Sequence, residues 1–300
     1  MAAETVHLRR DPAPDGNGGV VAVLELDAGG KPVVVLNRAL LAALDAALDE
    51  LEAAMDGVRG VVLASASAKV FVAGADLGEI MALSDDELHA YLELGTRVYG
   101  RLSALPVRTV AAINGAALGG GLELAMHCDT LIGAEPAGQR AYPVGLPEAG
   151  LRICPGWGGT VLLPARMEPA DAIVATATGK PMDVRSAAAA GVLEELVPAE
   201  RLLDRARELA RGAKPNPAGE PRSVARADLQ RHGREGLAAA KDRLPDAAAA
   251  RAVAGCVEAG VERGWAAAVE AEQRELVRLR NTPEGREAIE AFFAKSAAKK

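Results

Sequence analysis

The sequence is poor in the residue types on which several classes of protein depend. Aromatic residues make up 3% of its 300 residues, so Ala, Leu and Val must fill the core. The three cysteines, Cys128, Cys154 and Cys256, lie far apart and form no Cys-x-x-Cys pair, which argues against a disulfide framework and a zinc site. We expect reduced, buried thiols in a cytoplasmic protein.

Positive charge and long apolar runs are also scarce. The formal net charge is −7 and no basic stripe with interleaved aromatic residues is present, which argues against a nucleic-acid-binding protein. No apolar run reaches the length of a membrane span, and the N-terminus has no apolar signal segment. We predict no metal site, because the histidines show no ligand spacing: His7, His89, His127 and His232.

Strand and helix patterns alternate over the first two thirds of the chain. Asn37 precedes leucines at helical spacing, and Ser84 begins a capping box. Buried strands are predicted over four segments: 19–26, 58–63, 106–113 and 130–134. The alternation indicates α/β layering.

The character of the sequence changes after about residue 198. The remainder is rich in Ala, Glu and Arg and predicts several helices, after a break with three prolines at 214–221. We therefore predict a catalytic core over residues 1–198 and a helical C-terminal region over 199–300.

A glycine-rich turn follows the third of these predicted strands. Gly119, Gly120 and Gly121 precede a helix, where backbone N–H groups point at whatever binds there. Leu124 stands where a dinucleotide-binding loop has its third glycine, and no Gly-Lys-Ser/Thr follows. Taken alone, the run is equally consistent with a tight packing turn.

Two glutamates accompany this turn. Glu123 lies in the first turn of the helix, and Glu148 lies in a later loop between Pro147 and Gly150. Each alone could be ordinary: a glutamate favoured by the helix dipole, and a surface loop residue. Two carboxyl groups and free backbone N–H groups can together move protons and stabilise an enolate without a metal or a covalent nucleophile.

Three segments, read in order, resemble the crotonase (enoyl-CoA hydratase/isomerase) family: Phe71–Leu77, Ala117–Asp129 and Leu146–Thr160. The resemblance implies an α/β fold, a crotonase-type spiral of repeated ββα units with a helical C-terminal region. It covers roughly residues 15–210. Arg152 departs from the small or apolar residues usual there, which bears on the shape of the acyl pocket.

A finer resemblance, carried by 144–148, 164–166 and 252–279, is to the hydratase portion of multifunctional fatty-acid-oxidation α-subunits. The dehydrogenase portion of such proteins is absent. The chain is therefore either a free-standing relative or a fragment that ends in the linker.

The resemblance also implies site residues. Glu123 and Glu148 match the two catalytic glutamates, and Ala75 and Gly120 match the backbone N–H donors of the oxyanion hole. We expect five residues to line the substrate site: Lys69, Ala73, Asp76, Leu77 and Gly78. Of these, Lys69 would contact the phosphates of coenzyme A.

The expected reaction is hydration of a 2-enoyl-CoA. Glu123 would accept a proton from the attacking water, and Glu148, as the acid, would protonate Cα. Because two carboxyl groups around one water cannot both ionise freely, one should have a raised proton affinity. Coenzyme A is part of the substrate, and no other cofactor is expected.

Family membership would imply a homotrimer or hexamer. The resemblance to the α-subunit would imply a thiolase as a candidate partner. Three alternatives stay open at this stage. One is another acyl-CoA enzyme on the same scaffold: a 3-enoyl-CoA to 2-enoyl-CoA isomerase, a thioester hydrolase or a decarboxylase. Another is a non-catalytic acyl-CoA-binding relative, and the third is a nucleotide-binding oxidoreductase.

Overall fold

The protein is described by a computed structural model that covers residues 4–12, 19–136, 138, 141–215 and 219–297. The chain divides into two compact units. The first comprises the chain up to Ala75, Leu94–Val144 and Met182–Arg222, and the second comprises Asp76–Glu93, Gly145–Pro181 and the chain from Ser223 onwards. The predicted division after residue 198 stays a prediction.

The described residues contain ten strands: β1 (Thr5–Pro12), β2 (Val20–Asp27), β3 (Val58–Ser65), β4 (Val70–Val72), β5 (Thr109–Ile113), β6 (Ala116–Leu118), β7 (Thr130–Ala134), β8 (Pro143–Gly145), β9 (Met182–Asp183) and β10 (Glu195–Val197). They also contain twelve α-helices: α1 (Arg38–Ala53), α2 (Leu77–Ala82), α3 (Asp85–Ala104), α4 (Gly120–Met126), α5 (Gly159–Leu162), α6 (Pro169–Thr178), α7 (Val184–Ala189), α8 (Leu202–Ala210), α9 (Gln230–Ala240), α10 (Ala248–Arg263), α11 (Trp265–Arg280) and α12 (Pro283–Ala297).

The first unit is built on two sheets. The larger has the strand order β1-β2-β3-β5-β7-β10, in which β1 and β2 are antiparallel and every other neighbouring pair is parallel. The smaller has the order β4-β6-β8-β9. Strands β5 and β7 are buried along their whole length, as expected for parallel strands covered on both faces.

Helix α8 covers one face of the larger sheet. Its residues Leu202, Ala206 and Ala210 pack against valines of β2, β3 and β5 and against Ile132 of β7. A Cβ at Gly60 would lie 2.1 Å from the Ala210 carbonyl oxygen, so glycine in this strand permits the close approach of the helix.

The second unit is mainly helical and has two apolar clusters. One contains Cys154 and Cys256 with alanines of α10, and the other joins α5, α6, α9 and α10 around Val161 and Val257. Trp157 is a packing residue, as predicted: it is buried, and its Nε1 donates to the Leu92 carbonyl at 2.9 Å. The cysteines are buried and form no disulfide.

The predicted elements are present, with shifted ends. Asn37 caps α1 through a 2.8 Å bond from the Leu40 N–H, and Ser84 and Glu87 form the predicted capping box. The helical C-terminal region is confirmed as α8–α12. Of the predicted break and basic tail, residues 216–218, Lys299 and Lys300 lie outside the described residues. None of the helices in the described ranges combines the length and the hydropathy that crossing a membrane requires.

Candidate active site

The glycine turn of the first unit is buried and joins strand β6 to helix α4. Strand β6 ends at Leu118, Gly119 adopts φ +52°, and α4 begins at Gly120. As the first residue of the helix, Gly120 has an N–H with no intrahelical acceptor. A Cβ at Gly121 would lie 2.6 Å from the Val72 carbonyl oxygen, so this backbone packs directly on β4.

The second predicted donor follows the neighbouring strand. Strand β4 is parallel to β6, with Val72 opposite Ala117, so the two strands end side by side. Gly74 then adopts φ +107°, and a Cβ there would be 3.2 Å from the Leu118 carbonyl oxygen. Because β4 leads to Ala75 and β6 leads to Gly120, the structure brings both turns to one edge of one sheet. Two N–H donors at such an edge can stabilise a developing oxyanion.

Glu123 lies one turn into α4 and is 1% exposed. Glu123 is therefore not a solvated surface residue, and its catalytic role, like the alternative that it only favours the helix dipole, stays a prediction. The ring of His127, at the C-terminal end of α4, lies with its Nδ1 2.9 Å from the Glu123 carbonyl oxygen. The carboxyl group of Glu123 is therefore enclosed by the protein beside the glycine turn.

The residues predicted to line the substrate site differ in burial and in hydrogen bonding. Asp76 caps α2, since its Oδ1 accepts hydrogen bonds from the N–H groups of Gly78 at 2.8 Å and Glu79 at 3.2 Å. Leu77 is half-buried and packs on the cluster that contains Cys154. Lys69 and Gly78 are exposed, and Ala73 is half-buried. Their contact with coenzyme A stays a prediction.

Glu148 lies in the second unit, at the start of a 3₁₀ turn, Glu148–Leu151. The turn ends at Arg152, the only non-glycine residue of the described ranges with a left-handed backbone (φ +62°). The residue as a whole is half-buried, but its Oε2 is buried and accepts no hydrogen bond from the described residues. Burial, and secondarily the charge of Glu272, raise the pKa of Glu148 to about 8.

Glu272 on α11 is a residue that the sequence analysis missed. It is fully buried, and its carboxyl group accepts hydrogen bonds from the turn that follows Glu148. The signal that could have found it is its place on the apolar face of a helix, four residues from both Ala268 and Leu276. Burial raises the pKa of Glu272 to about 7.

The two units thus hold different parts of the predicted machinery. The first carries Ala75, Gly120 and Glu123, and the second carries Glu148 with Glu272. A backbone donor pair, a buried carboxyl group and a carboxyl group with a raised pKa are each groups that can serve in acid–base chemistry.

Sequence comparison finds relatives over nearly the whole chain. The fatty acid oxidation complex subunit alpha of Idiomarina loihiensis is 32% identical over 289 residues, which covers 93% of this chain and 40% of that protein. The same subunit of Aliivibrio fischeri is 31% identical over 294 residues, with 93% and 41% covered. The chain thus spans about two fifths of the length of these curated relatives.

Solved structures share the fold. The enoyl-CoA hydratase of Bacillus anthracis is 26% identical, with a TM-score of 0.60 and 96% of each chain covered. The human mitochondrial delta3-delta2-enoyl-CoA isomerase is 23% identical, with a TM-score of 0.69 over 98% of this chain and 99% of that one. The predicted crotonase fold with a helical C-terminal region is confirmed.

A family model gives the same assignment. The model described as enoyl-CoA hydratase/isomerase matches residues 18–219, which is more than half of the chain and includes Ala75, Gly120, Glu123 and Glu148. The chain therefore belongs to the enoyl-CoA hydratase/isomerase family.

Proposed function

We propose that this chain adds water across the C2=C3 bond of a 2-enoyl-CoA thioester. The observation that carries the proposal is the buried carboxyl group of Glu148, whose Oε2 has no hydrogen-bond partner among the described residues and whose pKa is raised to about 8 mainly by burial. A hydratase needs an acid of this kind to protonate Cα at neutral pH.

The proposed reaction uses four groups. Glu123 accepts a proton as the water oxygen bonds to Cβ, and the C2=C3 electron pair moves to give an enolate. The thioester oxygen then carries the negative charge, which the N–H groups of Ala75 and Gly120 stabilise. Glu148 gives its proton to Cα and restores the thioester. Proton exchange with solvent resets the two carboxyl groups, so the net change is the addition of one water, and neither metal nor redox cofactor is required.

Isomerisation of 3-enoyl-CoA to 2-enoyl-CoA is the second candidate. Glu148 alone could carry a proton between Cα and Cγ, but it would have to begin as a carboxylate base. A pKa of about 8 leaves it protonated at neutral pH, which favours the donor role in hydration.

The proposal is tested by comparing the steady-state rate of crotonyl-CoA hydration with the rate of isomerisation of a 3-enoyl-CoA. We expect Glu123→Gln and Glu148→Gln each to lower hydration by about 100-fold or more, since each removes an acid–base group. Glu270→Gln is the matched control, because Glu270 is an exposed glutamate of α11.

Three results would count against hydration. A loss of less than about tenfold in either variant contradicts the assigned roles. A wild-type protein that binds acyl-CoA without turnover indicates a binding relative. Isomerisation that survives in Glu123→Gln but not in Glu148→Gln, without hydration by the wild type, indicates the isomerase.

Assembly and location belong to the same proposal. A homotrimer or hexamer and a thiolase partner stay proposals that rest on the family resemblance; the names of the relatives call them subunits of a complex, which supports a partner subunit. Light scattering of the purified chain, alone and with a thiolase, measures both. The cytoplasmic location stays a prediction.

A further inference from the structure

A carboxyl group from α11 is buried against the turn that follows Glu148. One oxygen of Glu272 accepts from the Gly158 N–H at 2.6 Å, and the other accepts from the N–H and the hydroxyl of Thr160 at 2.8 and 2.5 Å. Within the described part of the chain, no lysine or arginine pairs with this carboxyl group. Three donors on one buried carboxyl group stabilise its anionic form.

These bonds fix the Gly158–Thr160 turn, which has no side-chain cap of its own. Gly158 occupies the N-cap position of α5 with φ +97° and has no side chain to cap the helix. A Cβ there would lie 2.2 Å from the ring of Trp265, so both this contact and the positive φ favour glycine. Glu272 supplies the missing cap from another element.

The loop that begins with the 3₁₀ turn at Glu148 leads to the Gly158–Thr160 turn. The Ile153 N–H donates to the Glu148 carbonyl oxygen at 3.1 Å, which ties the 3₁₀ turn to the residues before Gly158. The ionisable groups around Glu148 are the Glu272 carboxyl group from α11 and the Cys154 thiol, which is hydrogen-bonded to Cys256 of α10. Helices α6 and α12 also pack on the 3₁₀ turn, and neither brings a group that shifts the pKa of Glu148.

We propose that Glu272 is a positioning residue for Glu148, fixing the Gly158–Thr160 turn with one buried carboxyl group and setting that group's charge against the Glu148 carboxyl. The inference rests on the proposed function, in which Glu148 is the proton donor. Glu272 itself touches neither substrate nor reacting atoms in this scheme.

The carboxyl groups of Glu272 and Glu148 differ in the hydrogen bonds that stabilise their ionised forms. Glu272 has three donors and ionises first, with its pKa at about 7. Glu148 has an unpartnered oxygen and then faces a neighbouring negative charge, so it keeps its proton to a higher pH. The arrangement thus extends the pH range over which Glu148 can donate.

The test is the pH dependence of kcat/KM in Glu272→Gln. Removing the facing charge should move the basic limb of the profile to lower pH by about 1 unit, a shift that a merely structural role would not cause. The infrared band of the protonated Glu148 carboxyl group is identified by its loss in Glu148→Gln. In Glu272→Gln the titration midpoint of this band should also move to lower pH, and this measurement does not depend on turnover.

Two further variants separate charge from packing. Glu270→Gln changes an exposed glutamate of the same helix and should leave both titrations unchanged. Thr160→Val keeps the charge of Glu272 and removes one of its three bonds. We expect it to lower kcat by about three- to tenfold at constant KM, because the turn is held less firmly.

The outcomes are distinguishable from failure of the proposed function. Glu272→Gln with a wild-type basic limb and a wild-type infrared titration overturns the inference. If Glu272→Gln does not fold, wild-type kcat in Thr160→Val overturns it. A wild type without hydratase activity refutes the proposed function, and a shifted infrared titration would then still support the facing charge.

Discussion

At the scale of single residues, the backbone around Gly121 has no room for a side chain. The nearest atoms to a Cβ there would be the Cβ and carbonyl oxygen of Val72, both at 2.6 Å, and neither lies at the end of a flexible chain. The contact sets how closely α4 approaches β4, and with it the position of the Gly120 N–H.

Gly121→Ala should therefore damage both activity and stability. We expect hydration to fall by about tenfold or more, because the oxyanion donor moves, with about 1–3 kcal/mol of destabilisation from overpacking. Gly100→Ala is the control: it lies within α3 with no atom near its Cβ, and it should gain about 0.5–1 kcal/mol. Steady-state rates and urea unfolding measure both, and an active Gly121→Ala would remove the turn from the mechanism.

At the scale of elements, the sequence predicts those whose signals are local. Asn37, with leucines at helical spacing, predicts α1 because the cap and the apolar face lie within one segment. Strands β6, β8, β9 and β10 were missed, since two or three residues carry no periodicity. The eight-residue edge strand β1 was missed as well. The carboxylates of the site were found through their glycine neighbours. Glu272 was not, because its partners lie more than 100 residues away.

A second distant link joins three elements of the second unit. Arg280 of α11 is buried and donates to the carbonyl oxygens of Ile80 and Leu83 and to the carboxylate of Asp85. One guanidinium thus satisfies carbonyl groups at the end of α2 and the first turn of α3. Asn281 adds a bond to Asp85 at 3.0 Å.

Arg280→Met should destabilise the protein by about 2–4 kcal/mol, because it leaves the carbonyl groups of Ile80 and Leu83 without this buried donor and removes the cation beside Asp85. Arg278→Met on the same helix removes a half-exposed arginine paired with Glu275 and should cost less than about 1 kcal/mol. Urea unfolding at neutral pH compares them. Equal losses would mean that the buried fork contributes no more than a surface pair.

At the scale of the whole molecule, two sets of carboxyl groups affect the stability of the fold in different pH ranges. Hydrogen bonds hold the pKa values of Asp27, Asp45, Asp85 and Asp183 below the usual range, so their contribution to stability is lost only in acid. Glu148 and Glu272 behave in the opposite sense, since burial raises their pKa values to about 8 and about 7.

Stability should therefore fall as the pH rises from about 5 to about 8. A carboxyl group with a raised pKa binds its proton more tightly in the folded state, so its contribution is complete below the unfolded pKa and disappears as the folded group ionises. Glu148→Gln cannot ionise, and its melting temperature should exceed that of the wild type by several °C near pH 9 but not near pH 5. Calorimetric scans across this range test the sign, with Glu270→Gln expected to follow the wild type. If the Glu148→Gln and wild-type curves ran parallel, Glu148 would ionise as freely as in the unfolded chain, and the protonated donor on which hydration depends would be absent.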